Sequence, residues 1–190
     1  FREHMYGRVP RTPVSIRYRL MFSDRNALQG LATMKEVHME VVRNADTLDM
    51  ALLIFLPNDR TGPVPLFLGL NFNGNHTVHP DPQIAVTDTW VRNNRDLGIT
   101  DHRAREDSRG SAAERWQVEL ILSRGYGLAT MYYGDVDPDF DDGFKNGIHA
   151  LMDEQRTPDS WGSIAAWAWG LSRAMDYFEK DADIDQGRVA

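Results

Sequence analysis

Residues 161–180 read WGSIAAWAWGLSRAMDYFEK, and inside them Gly170-Leu171-Ser172-Arg173-Ala174 has the small-x-Ser-x-small look of a nucleophile elbow. An elbow requires a strand before the serine and a helix after it, because only that sharp turn lifts the hydroxyl above a sheet edge. Here Ile164, Trp167, Ala168, Leu171, Met175 and Phe178 recur in steps of three and four straight through the pattern. That period belongs to one amphipathic helix, framed by Pro158-Asp159-Ser160 before it and by Asp183 and Gly187 after it. A serine several turns inside a helix faces outward or bonds back to the carbonyl one turn earlier. Ser172 is therefore read as structural, and the segment as a helix packed on a sheet.

The sheet is written upstream. In MKEVHMEVV (34–42) Val37, Met39 and Val41 alternate with polar residues, and LDMALLIFL (48–56) repeats the alternation after a turn at Asn44-Ala45-Asp46. The pair predicts an antiparallel hairpin. After the loop 57–63, VPLFLGLNF (64–72) is apolar at successive positions, as in a strand covered on both faces. Residues 73–109 show no sustained period, a length of loop that is commonly functional or held by its own packing. SAAERWQVELILSRG (111–125) predicts a helix with Ala113, Trp116, Leu120 and Ile121 on one face and Gly125 as its stop. YGLATMYY (126–133) predicts a strand, followed by an acidic loop at 135–143, a short helix near 144–152, the long helix, and the opening of a further strand at Gly187-Arg188-Val189-Ala190.

Buried strands alternating with helices predict an α/β fold: a three-layer α/β/α sandwich of α/β-hydrolase type, its sheet mainly parallel, with an antiparallel N-terminal hairpin. On this reading residues 1–190 form the N-terminal portion of a single domain, ending where the nucleophile-bearing strand begins. An edge left unpaired there predicts a chain that folds poorly without a complementary segment.

A chain of 190 residues, 42% hydrophobic and 10% aromatic, can bury a sizeable core. The net charge of −7 and the lack of a basic stripe argue against nucleic acid as a partner. No apolar run reaches the length of a membrane span, and no basic-then-apolar leader is visible. The absence of cysteine removes disulfides, thiolate metal sites and cysteine nucleophiles.

Chemistry is sought at the strand ends, where open α/β sheets receive ligands. NFNGNH (71–76) follows the third strand, where hydrolases place a loop donating a backbone N–H to the oxyanion hole. Asn73, Gly74, Asn75 and His76 are accordingly candidates for lining a substrate cleft or an oxyanion loop, with a plain strand-ending turn as the alternative. His76, His79 and His102 lack a carboxylate at helical spacing, so no metal site is assigned. GDVDPDFDDG (134–143) resembles a calcium loop, yet from Asp135 or Asp137 the sixth residue is Phe140 or Asp142 and the twelfth Asn146 or Ile148, so the EF-hand pattern fails. Asp135 and Asp137 are read as loop-orienting residues, as is Arg115 on the helix after the long loop. Trp116 is read as core, as are Trp161, Trp167 and Trp169 in or beside the last helix, with an aromatic platform for sugar as the alternative for these three. No cofactor is implied.

Four stretches, YGRVP (6–10), GLNFNGNH (69–76), RGYGLATMYYGDVDPDF (124–140) and WGSIAAWAWGLSRAMDY (161–177), together resemble the bacterial glucuronoyl esterases of carbohydrate esterase family 15. The resemblance extends over nearly the whole chain. It implies a serine esterase, secreted or periplasmic and monomeric when complete, that cleaves esters between 4-O-methyl-glucuronate on xylan and lignin alcohols. In that family the nucleophile lies in a Gly-x-Ser-Arg-x-Gly-Lys motif just after the position of GRVA, with the acid, the histidine and most uronate contacts later still. No catalytic residue is therefore expected within residues 1–190. A further helix before YGR is expected of the family. Another α/β-hydrolase esterase, such as an acetyl xylan esterase, and a non-catalytic carbohydrate- or partner-binding module are the alternatives.

Overall fold

The computed structural model describes residues 5–153 and 155–190. Its centre is a sheet of six strands in the order β1-β2-β3-β5-β4-β6. β2 (Ala32–Arg43) and β3 (Asp46–Pro57) pair antiparallel, with Arg43 opposite Asp46 across a turn in which Asn44 takes φ 54°. This is the predicted hairpin, and asparagine tolerates the left-handed turn conformation.

Sequence periodicity missed β1 (Ser15–Ala27), which runs antiparallel to β2 as an edge strand. Ile16 and Tyr18 pack on the core beside Arg17 and Arg19, but the register shifts between Leu20 and Phe22 and leaves Leu20 and Met21 exposed. A bulged, half-solvated edge has no clean period of two to read.

β4 (Val64–Asn71) and β5 (Gly127–Tyr132) are parallel, and β6 (Ile184–Val189) joins β4 in parallel, starting three residues before the predicted opening. β5 meets β3 antiparallel. The sheet is thus mixed: β4, β5 and β6 are parallel, and an antiparallel meander, one strand larger than the expected hairpin, flanks them.

Alternation along each strand sorts the core into two layers. Val37, Met39, Val41, Leu52, Ile54, Leu56, Leu66, Ala129 and Met131 face one side, where α5 (Ser163–Phe178) lays down Ala166, Ala174 and Phe178. Met34, Leu53, Phe55 and Leu128 face the other, against Val118 and Leu122. α5 is unbroken, and the Ser172 hydroxyl donates to the Ala168 carbonyl at 3.2 Å, the back-bond expected of a mid-helix serine. Gly170 is there for packing: a Cβ at that position would lie 2.7 Å from Val136. The helix ends at Phe178, earlier than Asp183 suggested, because residues 179–183 make the turn into β6.

The helix predicted over 111–125 is two short ones, α1 (Ala113–Trp116) and α2 (Val118–Ser123), broken by Gln117 at φ 40° and ψ 45°. The break rotates the apolar face, so that Leu120 is 52% exposed while Val118 and Leu122 are buried. Trp116 packs over Gly69 at the middle of β4. Phe67 on that same side of β4 is 43% exposed, so the strand is only partly covered there.

Residues 73–109 are ordered by their own packing, as so long a loop must be. Val91 and Ile99 form a third cluster with Tyr132 and Tyr133, and Trp90 stacks on His102 at 4.9 Å. α3 (Tyr133–Val136) and α4 (Gly147–Met152) complete the chain's helices among the described residues. Among the described residues no helix is long and apolar enough to cross a membrane.

Candidate functional site

Parallel strands expose their last carbonyls and side chains at one edge, and here β4 and β5 finish in register with Asn71 beside Tyr132. The chain leaves β4 through Phe72 and Asn73, then enters a single 3-10 turn over Asn75–Thr77. Asn71 and Asn75 are both buried, so their carboxamides must find partners. Asn71 accepts the Gly74 N–H at 2.9 Å and donates to Asn75 Oδ1 at 2.6 Å and to Thr130 Oγ1 at 3.1 Å. Asn75 donates in turn to the Ala51 carbonyl on β3 at 2.9 Å. Gly74 adopts φ 102°, a conformation open to glycine, and any Cβ there would sit 2.7 Å from both His76 and Thr87.

The four loop candidates do not face one way. Asn75 lines a cavity of about 530 Å³ beside the β3 end of this edge, and Asn73 is half-buried at the tip. His76 points inward with 0% exposure, and its Nε2 lies 2.8 Å from Ser108 Oγ. Burial, helped by the Arg109 guanidinium, lowers its pKa from 6.5 to about 4. His76 is therefore a neutral clip between the loop and the turn at 106–108, not a group displayed to a ligand.

Asp135 is not in a loop. It lies in α3, buried, with one carboxylate oxygen accepting the Ala51 N–H at 3.3 Å and the other the Thr89 hydroxyl at 3.0 Å. Desolvation dominates over these two bonds and raises its pKa from 3.8 to about 7. Asp135 thus fastens the 87–89 segment to β3 and lines the cavity, as does His38, whose ring lies between Asp49 and Glu36.

Asp137 is also buried. Its carbonyl accepts the Trp167 indole N–H at 2.9 Å and its carboxylate approaches His149 Nε2 at 3.6 Å, so it joins α5 to α4. Arg115, by contrast, is exposed, and its guanidinium lies 5.9 Å from the centre of the half-exposed Phe72 ring.

The residue that clasps the long loop is Arg109, which sequence reasoning passed over. Its guanidinium donates to the carbonyls of Asp81 and Ile84 at 2.8 and 2.7 Å and pairs with Glu106. Nothing in RGS (109–111) distinguishes this arginine from its neighbours, since its acceptors are backbone oxygens distant in sequence. The remaining aspartates of 139–142 build turns: Asp141 accepts Gly143 N–H, Asp142 accepts Lys145 N–H, and Asp139 pairs with Arg92. His79 approaches Glu119 and His102 stacks on Trp90. Among the described residues no three His, Asp or Glu side chains converge to hold a metal.

Phe72, 52% exposed, meets Tyr133 edge-on at 5.3 Å, and Tyr133 meets Trp167 at 5.0 Å, so an aromatic row borders the loop at the ends of β4 and β5. The edge therefore offers a pinned backbone turn, an aromatic border and a polar cavity. A nucleophile, if present, has to come from elsewhere than Ser172.

No family model matches the chain. Carbohydrate esterase MZ0003, from an unknown prokaryotic organism, is 49% identical over 197 residues, covering 100% of this chain and 44% of the relative. A promiscuous family 15 esterase from a marine bacterial metagenome superposes with a TM-score of 0.87 at 48% identity, covering 100% of this chain and 48% of that structure. A glucuronoyl esterase from Solibacter usitatus gives a TM-score of 0.88 at 43% identity, with 100% and 48% covered. The chain thus spans about half the length of the relatives it matches. By sequence and by fold it belongs to carbohydrate esterase family 15, with the N-terminal part of which it aligns.

Proposed function

We propose that this chain supplies the front half of a serine carboxylic-ester hydrolase that cleaves 4-O-methyl-glucuronoyl esters between glucuronoxylan and lignin alcohols. The observation that carries the reading is the full-length match of this chain, at 43% identity, to a glucuronoyl esterase. The esterases it matches are about twice as long, which leaves room for the serine, histidine and acid in sequence that pairs with the β6 side of the sheet.

On this reading the histidine deprotonates the serine, the serine attacks the uronate carbonyl, the alcohol leaves, and water releases the acid. The Phe72–Asn75 turn borders the same cleft. With Gly74 N–H already bound to Asn71, the loop presents its tip at Asn73 toward a developing oxyanion. The acidic net charge and the half-exposed ring of Phe72 suit a neutral sugar ester with an aromatic alcohol better than a polyanion. We place the enzyme outside the cytoplasm, secreted or periplasmic, and monomeric.

Hydrolysis of benzyl and methyl glucuronate esters by the full-length protein, compared with acetylated xylan, tests the proposal. Turnover of the glucuronate esters above the acetyl ester is the expected result. Preference for the acetyl ester, or no turnover of either, overturns it.

A further inference from the structure

We infer that Asn71 is the positioning residue of the loop at the end of β4, fixing which backbone amide that loop offers to the sheet edge. The catalytic half of the inference rests on the esterase reading above; the structural half does not.

Asn71 ends β4 and is 1% exposed, so its amide group cannot fall back on water. Its oxygen must face the Gly74 N–H, because that group is a donor only. Its nitrogen must then face Asn75 Oδ1 and Thr130 Oγ1, which leaves the Asn75 nitrogen for the Ala51 carbonyl. Neither carboxamide can flip without opposing like atoms at both ends. A single oriented chain of amides therefore runs from β5 through the loop to β3.

This chain has a consequence for chemistry at the edge. Gly74 N–H is held inside by Asn71, while Thr77 and Val78 N–H are held by the carbonyls of Gly74 and Asn75. Among the described residues the N–H groups of Asn73, Asn75 and His76 make no hydrogen bond, and since Asn75 and His76 are buried, only Asn73, at the half-buried tip of the turn, can offer its amide outward. Loss of Asn71 frees the wrong amide and loosens the right one.

The test is made in the full-length protein with Asn71→Ala, Asn71→Asp and, as a control, Thr33→Val. Thr33, itself buried, donates to Asn58 Oδ1 at 2.7 Å at the far end of β2, so its loss removes a partly buried side-chain hydrogen bond away from the loop. Deuterium uptake by the peptide spanning Phe72–Asn75 and the split between kcat and KM on methyl glucuronate are read together.

Asn71→Ala is expected to speed exchange in that peptide about tenfold and to lower kcat by about 10- to 100-fold, with KM within about threefold. Asn71→Asp retains the acceptor for Gly74 N–H but sets a second oxygen against Asn75 Oδ1. It should keep most of the Gly74 protection while losing kcat, and it carries the test if the alanine variant does not fold. Thr33→Val should move neither readout. Unchanged exchange in Asn71→Ala, or a kcat loss no larger than that of Thr33→Val, overturns the inference. If the wild type hydrolyses no glucuronate ester, the esterase reading falls, and the exchange data alone decide whether Asn71 positions the loop.

Discussion

Replacing Asp135 by asparagine separates a buried acid from the hydrogen bonds it makes. The carboxyl is raised from 3.8 to about 7, chiefly by desolvation, and at about 1.4 kcal/mol per pK unit that shift is on the order of 4 kcal/mol. Its direction fixes the pH window. A group whose folded pKa lies above its unfolded one contributes stability fully below about pH 4, and that contribution is lost as pH rises through about 7. Asparagine keeps the geometry: its oxygen accepts the Ala51 N–H, and its nitrogen donates to Thr89 Oγ1, which turns its proton to Thr87 at 2.8 Å. Urea unfolding of wild type and Asp135→Asn, followed by tryptophan fluorescence from pH 4 to 8.5, should give curves that nearly meet near pH 4. At pH 8.5 the variant should be more stable by about 2 to 4 kcal/mol, the lower figure allowing for relaxation around the ionised acid. The difference between the curves isolates Asp135 from His76, whose lowered pKa acts oppositely, removing stability as pH falls from 6.5 toward about 4. A difference below about 1 kcal/mol across the window, or a variant equally destabilised at both ends, would falsify the account of a desolvated acid.

Two further predictions concern packing around the sheet. Lys35, its side chain 10% exposed, bridges Asp181 at 2.8 Å and Asp183 at 2.7 Å, and this pairing holds the Asp183 carboxyl below its usual range. Lys35→Ala strands a buried carboxylate and should cost about 3 kcal/mol in urea unfolding at pH 7, whereas adding Asp181→Asn should recover part of that loss; no recovery would refute the pairing. Gly74→Ala combines a forced positive φ with a clash against His76 and Thr87, and should lower stability by about 3 kcal/mol. Gly125→Ala, at φ 77° with nothing within 4 Å, should cost only about 1 kcal/mol, and equal losses at the two sites would show that strain alone is at work.

How much of the site was legible follows from where its partners lie. NFNGNH was readable as a special turn because asparagine and glycine at a strand end have few other uses. Which of its residues face outward was not readable, since that depends on Ser108, Thr130 and Ala51, brought near only by folding. Asp135 looked like one aspartate among several in an acidic run, and only its enclosure by Ala51 and Thr89 distinguishes it from the turn-forming Asp141 and Asp142. Arg109 carried no signal for the same reason, as its acceptors are main-chain oxygens remote in sequence.

By itself the sequence determined β2, β3, β4, β5 and the helix through Ser172, because each buries a continuous face and so imposes its own period on the residues. It also carried the family resemblance through four local stretches. Tertiary structure alone decided the bulged edge strand β1, the break at Gln117, the inward turn of His76, and the amide chain from Thr130 through Asn71 and Asn75 to Ala51. Periodicity records which side of an element is dry. It does not record which polar atoms meet across elements, and those meetings shape the edge where chemistry is proposed.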